Sequence, residues 1–127
     1  MDMAGIASST LKKKLQQIGV DNSIIKRTVV ALYEAEINMV IHGGGGDITI
    51  DVTPTEINCE LTDHGPGIAD VNLAMQEGYS TATDAIREMG FGAGMGLPNM
   101  KKNTDKLDIQ TELGVGTTIT MTVFLKN

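Results

Sequence analysis

The chain has 127 residues, 41% of them hydrophobic, which suits one compact domain spanning 1–127 and leaves no room for two. Asp and Glu number 16 against 10 Lys and Arg, and this net charge of −6, spread along the chain, argues against a grip on nucleic acid phosphates or on a membrane surface. No apolar run reaches the roughly 18–20 residues of a membrane span. Met1 to Gly5 lacks the basic and apolar regions of a signal peptide, and the single cysteine, Cys59, excludes an internal disulfide and points to a reducing, cytoplasmic compartment.

In chain order, Ser8, Leu11, Leu15 and Ile18 predict a short amphipathic helix over 8–18, with Ser8 or Ser9 as its N-cap and Gly19 as its stop. A longer helix is expected from about Asn22 to His42, with Ile25, Val29, Val30, Tyr33, Ile37, Val40 and Ile41 as its apolar stripe. Gly43 to Gly46 ends it. Two alternating strands follow, Ile48–Val52 and Ile57–Thr62, joined at Pro54 and Thr55. Asp70 to Gln76 reads as a short helix, and Gly78 to Gly96, which lacks a pattern, as a mobile loop. A helix opens near Pro98, and two strands, Leu107–Leu113 and Thr117–Leu125, close the chain around a Gly-Val-Gly turn. The expected fold is an α+β sandwich, one mixed sheet with helices on one face.

Three places carry chemistry. Glu34, Asn38 and His42 stand at i, i+4 and i+8, on one edge of the second helix. Their carboxylate and amide are hard oxygen donors suited to Mg²⁺ or an ordered water, and the same spacing also describes a solvated helix edge. Asp63 continues the inward register of Ile57, Cys59 and Leu61, and Asp63-His64-Gly65-Pro66-Gly67-Ile68 then turns sharply. This reads either as an Asx turn or as a partly buried acceptor for an exocyclic amine, with glycines admitting a flat ring. The third place holds four of the chain's 15 glycines: Gly90, Gly92, Gly94 and Gly96 alternate through Gly90-Phe91-Gly92-Ala93-Gly94-Met95-Gly96-Leu97-Pro98. The run leads into a helix start, where bare amides favour an anion; a flexible hinge is the other reading. No Gly-Lys-Ser/Thr follows, so it is not a Walker A loop.

The order and separation of these pieces are more specific than any one of them. A Glu-x-x-x-Asn helix, Asp-x-Gly-x-Gly after a strand, a glycine run into a helix, and Gly-x-Gly-Thr (Gly114 to Thr117) before a last strand together resemble the GHKL ATP-binding domain over residues 6–126. Within that superfamily, Glu34 to Gly43, together with Gly78-Tyr79-Ser80-Thr81 and Gly94 to Pro98, is most similar to the anti-sigma-factor and stressosome-switch serine/threonine kinases. The resemblance implies ATP and Mg²⁺. It gives Glu34 the role of general base toward a protein hydroxyl and Asn38 that of holding Mg²⁺ on the phosphates, with His42 nearby. It makes Asp63 the acceptor for the adenine amino group, with Gly65, Gly67, Ile68 and Thr117 around the base. Gly92, Gly94, Met95, Gly96 and Leu97 would cradle the phosphates.

The implied activity is phosphorylation of a small antagonist protein, with a sigma factor as a further partner and a homodimer as a candidate assembly. Relatives begin with an edge strand, for which there is hardly room before Ser8. Two other functions remain open at this point: a nucleotide-dependent interaction module without transfer, and a detached histidine-kinase catalytic domain.

Overall fold

The computed structural model describes residues 5–67 and 96–125. The helix expected at 70–76 lies outside these residues, as does the loop expected at 78–96 apart from Gly96.

Helix α1 (Ile6–Gln17) begins two residues before the sequence suggests. Its N-cap is Gly5, not Ser8 or Ser9, and no side chain of its own caps it. The cap comes from the next helix. The Glu36 carboxylate accepts the Gly5 N–H at 2.9 Å and the Ala7 N–H at 3.1 Å on Oε2, and the Ser8 N–H at 2.8 Å on Oε1. Those amides are among the donors that a helix start leaves without partners, and a negative charge also suits the positive end of the helix dipole. Ser8 is buried in the first turn and donates its hydroxyl to the Gly5 carbonyl. The other end behaves as predicted, with Gly19 at φ 79 just past the last turn.

Helix α2 (Asn22–Gly43) is capped by the Asp21 side chain, which accepts the Ser23 N–H, and closes on left-handed Gly44. Its buried face carries Ile25, Thr28, Leu32, Ala35, Glu36 and Met39, a 3.6-residue period. Of the stripe expected from sequence, Ile25 and Ile37 are buried and Val29 packs partly buried against the core, whereas Tyr33 is 37% exposed. The difference has a physical cause. α1, the sheet and a third helix all pack on α2, so the face that small Ala31 and Ala35 let come closest is buried deepest.

Strands β1 (Gly46–Val52) and β2 (Glu56–Asp63) form a hairpin whose turn is held by Thr53. The Thr53 hydroxyl accepts the Thr55 and Glu56 N–H groups. Helix α3 (Gly96–Lys102) precedes the second hairpin, β3 (Lys106–Glu112) and β4 (Gly116–Phe124). The sheet order is β1-β2-β4-β3. All three pairings are antiparallel, so the parallel pair that a mixed sheet requires is not among the described strands. Two local hairpins joined through β2 and β4 produce this pattern.

Ile57, Cys59 and Leu61 of β2 and Ile119 and Met121 of β4 form one core with α1, α2 and α3. The described helices therefore cover a single face, as expected for an α+β sandwich. The opposite face is polar: Thr122 donates to the Asn58 amide oxygen at 2.6 Å, and the Thr62 and Thr118 hydroxyls meet at 3.3 Å. Arg27 of α2 pairs with Asp105, whose other oxygen accepts the Phe124 N–H, tying α2 to the end of the sheet. Among the described residues no helix is long and apolar enough to cross a membrane.

The Glu36 cap makes a measurable claim. Glu36→Ala removes the acceptor for three amides at a mostly buried helix start and should cost about 3 kcal/mol in urea unfolding. Glu36→Gln keeps one acceptor oxygen and should cost less. An unchanged urea midpoint for the alanine variant would leave α1 held by Leu11 and Leu15 alone.

Candidate functional site

The last residue of β2 and the second residue of β4 face each other: Asp63 pairs with Thr117 in the sheet register. Both are buried, Asp63 at 8% exposure. A carboxylate so placed needs donors, and it has them. Asp63 Oδ1 accepts the Gly65 N–H at 2.9 Å and the Thr117 N–H at 3.3 Å. The first is the Asx turn expected from Asp-x-Gly; the second crosses the sheet. Both bonds fall on Oδ1, so among the described contacts Oδ2 is left to accept elsewhere. The Thr117 hydroxyl lies 2.9 Å from that of Thr111, which reaches the Gly116 carbonyl at 3.3 Å. Thr111 thus holds the Thr117 side chain in place, a role that sequence pattern alone did not indicate.

Two glycines allow the turn after β2 to lie against the β3–β4 hairpin. Gly67 has φ 82, and a Cβ there would sit 2.7 Å from the Glu112 carbonyl oxygen. Gly116 has φ 149, and a Cβ there would overlap the Asp63 carbonyl oxygen. Any side chain would force these backbones apart. The Gly114 N–H completes the contact by donating to the Pro66 carbonyl at 2.9 Å.

Glu34 and Asn38 are both half-buried and lie one turn apart on α2, as their spacing requires. Glu34 has a partner that the sequence reading missed. Asn99, in α3, directs its Nδ2 toward Glu34 Oε1 at 3.4 Å. No motif spacing signals this contact, because 65 residues separate the two. Buried Leu97, Pro98 and Met100 set the side of α3 that faces the core. Leu97, expected near the phosphates, is 6% exposed, so its side chain serves as an anchor for α3. Lys101 is exposed.

The remaining expectations fall where the structure is not described. Ile68, Gly92, Gly94 and Met95 lie outside the described residues; for Gly96 and His42 only the backbone, in α3 and α2, is described. Cys59 is no nucleophile, because burial pushes its thiol pKa up to about 12 and it stays protonated at neutral pH. Among the described residues, no group of three or more His, Cys, Asp or Glu could hold a metal ion.

The comparisons with known proteins agree with this geometry. A family model described as the histidine kinase-like ATPase domain matches residues 3–123. The chain is 35% identical over 100 residues to an anti-sigma F factor of Thermoanaerobacter sp. (strain X514), covering 75% of this chain and 66% of the relative. It is 34% identical over 97 residues to an anti-sigma F factor of Clostridium acetobutylicum, covering 72% and 64%. It is 30% identical over 97 residues to the serine/threonine-protein kinase RsbT of Bacillus subtilis (strain 168), covering 73% and 67%. The aligned stretch thus spans about two thirds of the length of these curated relatives. Because the family match covers nearly the whole chain, from residue 3 into the last strand, the chain belongs to the histidine kinase-like ATPase domain family, an assignment that implies ATP as its nucleotide.

Proposed function

We propose that this protein is an ATP-dependent serine/threonine protein kinase that phosphorylates a small antagonist protein, and that it also binds a sigma factor. The observation that carries this reading is the pair on α2: a half-buried carboxylate, Glu34, one turn before the amide of Asn38. A module that only bound nucleotide would have no use for a base at that place. Relatives named as anti-sigma F factors and as a serine/threonine kinase support the protein substrate and the sigma factor. A cytoplasmic location goes with such partners, and a homodimer is one form the assembly could take.

In this reading Asp63 receives the amino group of adenine on the oxygen left by Gly65 and Thr117, and the Thr117 hydroxyl lies at the edge of the base. Asn38 fits a Mg²⁺ carried on the nucleotide, since an amide oxygen is a hard ligand and Mg²⁺ commonly takes only one or two protein ligands beside phosphate oxygens. The ion would neutralise phosphate charge, which suits an acidic chain with few cations to spend. Glu34 does the proton chemistry. As the serine oxygen attacks the γ-phosphorus, an O–P bond forms, the bond to the β-phosphate oxygen breaks, and the hydroxyl proton passes to the Glu34 carboxylate. ADP leaves, and the proton is later lost to water.

Two substitutions test the two halves separately. Asp63→Asn keeps the shape but presents a donor where an acceptor is needed. ADP affinity measured by calorimetry should fall about tenfold or more, in line with about 1.5 kcal/mol for one charge-assisted hydrogen bond. Unchanged affinity would remove the adenine assignment. Glu34→Gln should leave ADP binding intact and slow transfer to an antagonist by roughly 10²–10⁴-fold. Transfer assays with labelled ATP, followed by acid treatment, also decide the acceptor: phosphoserine survives acid and phosphohistidine does not. Equal transfer by Glu34→Gln and the parent protein would reduce Glu34 to an ordinary helix-edge carboxylate.

A further inference from the structure

We infer that Asn99 is a positioning residue for the base: its carboxamide fixes which oxygen of Glu34 faces the incoming hydroxyl. The inference rests on the kinase reading above and adds to it a residue from a separate helix.

The geometry is specific. Asn99 Nδ2 reaches Oε1 of Glu34 at 3.4 Å, which leaves Oε2 to take the proton. That distance is at the long end for an N–H···O contact, and such contacts shorten as a reacting complex assembles. A carboxylate on a free side chain would sample many orientations, whereas one held at a single oxygen points the other in a fixed direction.

The support behind Asn99 is built in. Leu97 and Pro98 on one side and Met100 on the other are buried, and Met100 is fully covered, so α3 cannot rotate without opening the core. Behind it, the Asn99 carbonyl accepts both the Asn103 backbone N–H at 3.2 Å and Asn103 Nδ2 at 2.8 Å. The Thr104 hydroxyl likewise donates to the Met100 carbonyl at 2.8 Å. These bonds close the C-terminal end of α3 and fix the backbone that carries Asn99. They use its main chain only, so changing the side chain leaves them in place. The backbone under this half-buried asparagine is thus fixed, and its side-chain amide is aimed at the one carboxylate assigned to chemistry.

The chemical logic is one of donor type. An amide N–H orients a carboxylate without titrating and without the full positive charge that would make Glu34 a weaker base. A lysine or arginine at the same place would hold the carboxylate more tightly and blunt its proton affinity. Asparagine orients and leaves the base basic.

The test uses the full chain. Asn99→Leu keeps the approximate volume and removes the donor without adding a charge beside Glu34, and Asn99→Ala removes the side chain. Urea unfolding and ADP calorimetry on both variants first check that fold and nucleotide site are unchanged. In transfer assays each variant should lose about tenfold in kcat with KM for ATP nearly constant. In the Glu34→Gln background, Asn99→Ala should cost nothing more, because the group it orients is gone. Independently of any transfer, the side-chain amide resonances of Asn99 in the ¹⁵N-labelled protein should move on Glu34→Gln. Unmoved resonances overturn the contact itself, whatever the protein's activity. Moved resonances with an unchanged kcat, or an equal loss in the Glu34→Gln background, overturn the positioning role while the kinase reading stands. If the resonances move but the parent protein phosphorylates no antagonist, the kinase reading falls and the positioning role falls with it.

Discussion

Helix α2 has one circumference and must satisfy every neighbour with it. At about 100° per residue, each turn offers only three or four directions. One set, Ile25, Thr28, Leu32, Ala35 and Met39, is spent on the core. Glu36 serves α1, and the edge through Glu34 and Asn38 faces α3 through Asn99. Residues four apart stand only about 40° from each other on the helix surface, so Glu34 and Asn38 occupy a narrow strip that the core does not need. The rest of the fold is arranged around that allocation. α1 covers one flank, α3 another, and the sheet lies beneath, so packing against these three neighbours fixes the direction of the Glu34–Asn38 edge.

The second half of the site obeys a different rule. Asp63 and Thr117 come together because β2 and β4 pair, and no helix is involved. Their backbones carry Gly67 and Gly116 at places where another backbone passes too close for a Cβ. The buried Asp63 is kept at low cost by main-chain donors that the sheet and its own turn supply. The site thus combines one side-chain edge on a helix with one polar corner at a sheet end.

Much of this could be read in the chain itself. The described elements, the inward register of Asp63 and the Glu34–Asn38 edge all follow from periods of 2 and 3.6 and from glycine placement, which are local signals. What could not be read was non-local. Glu36 carried no signal of its own, because nothing nearby reveals that another helix start lies against it. Ser8 looked like a cap for the same reason: it is the right residue type near a helix start, but a distant carboxylate already holds the amides. Asn99 and Thr111 act on residues that are distant in sequence or on another strand, and neither belongs to a pattern with a fixed spacing. The apolar stripe of α2 held at Ile25 and Ile37 and failed at Tyr33, since the small and polar residues Thr28, Ala35 and Glu36 that also line the buried face do not stand out by hydrophobicity.

The strand order β1-β2-β4-β3 also bears on how the chain assembles in time. The two outer pairings are hairpins closed by three-residue connections, whereas the central pairing joins segments separated by about fifty residues. Closing the longer loop costs about 2.5 kcal/mol more in chain entropy, by the logarithmic rule for flexible loops. Hairpins form in microseconds, and non-local pairings of this kind set slower overall rates. The Asp63–Thr117 corner lies on that central seam, so it comes into being only when the two halves of the sheet meet. The polar corner therefore depends on the slowest-closing pairing of the sheet and on neither hairpin by itself.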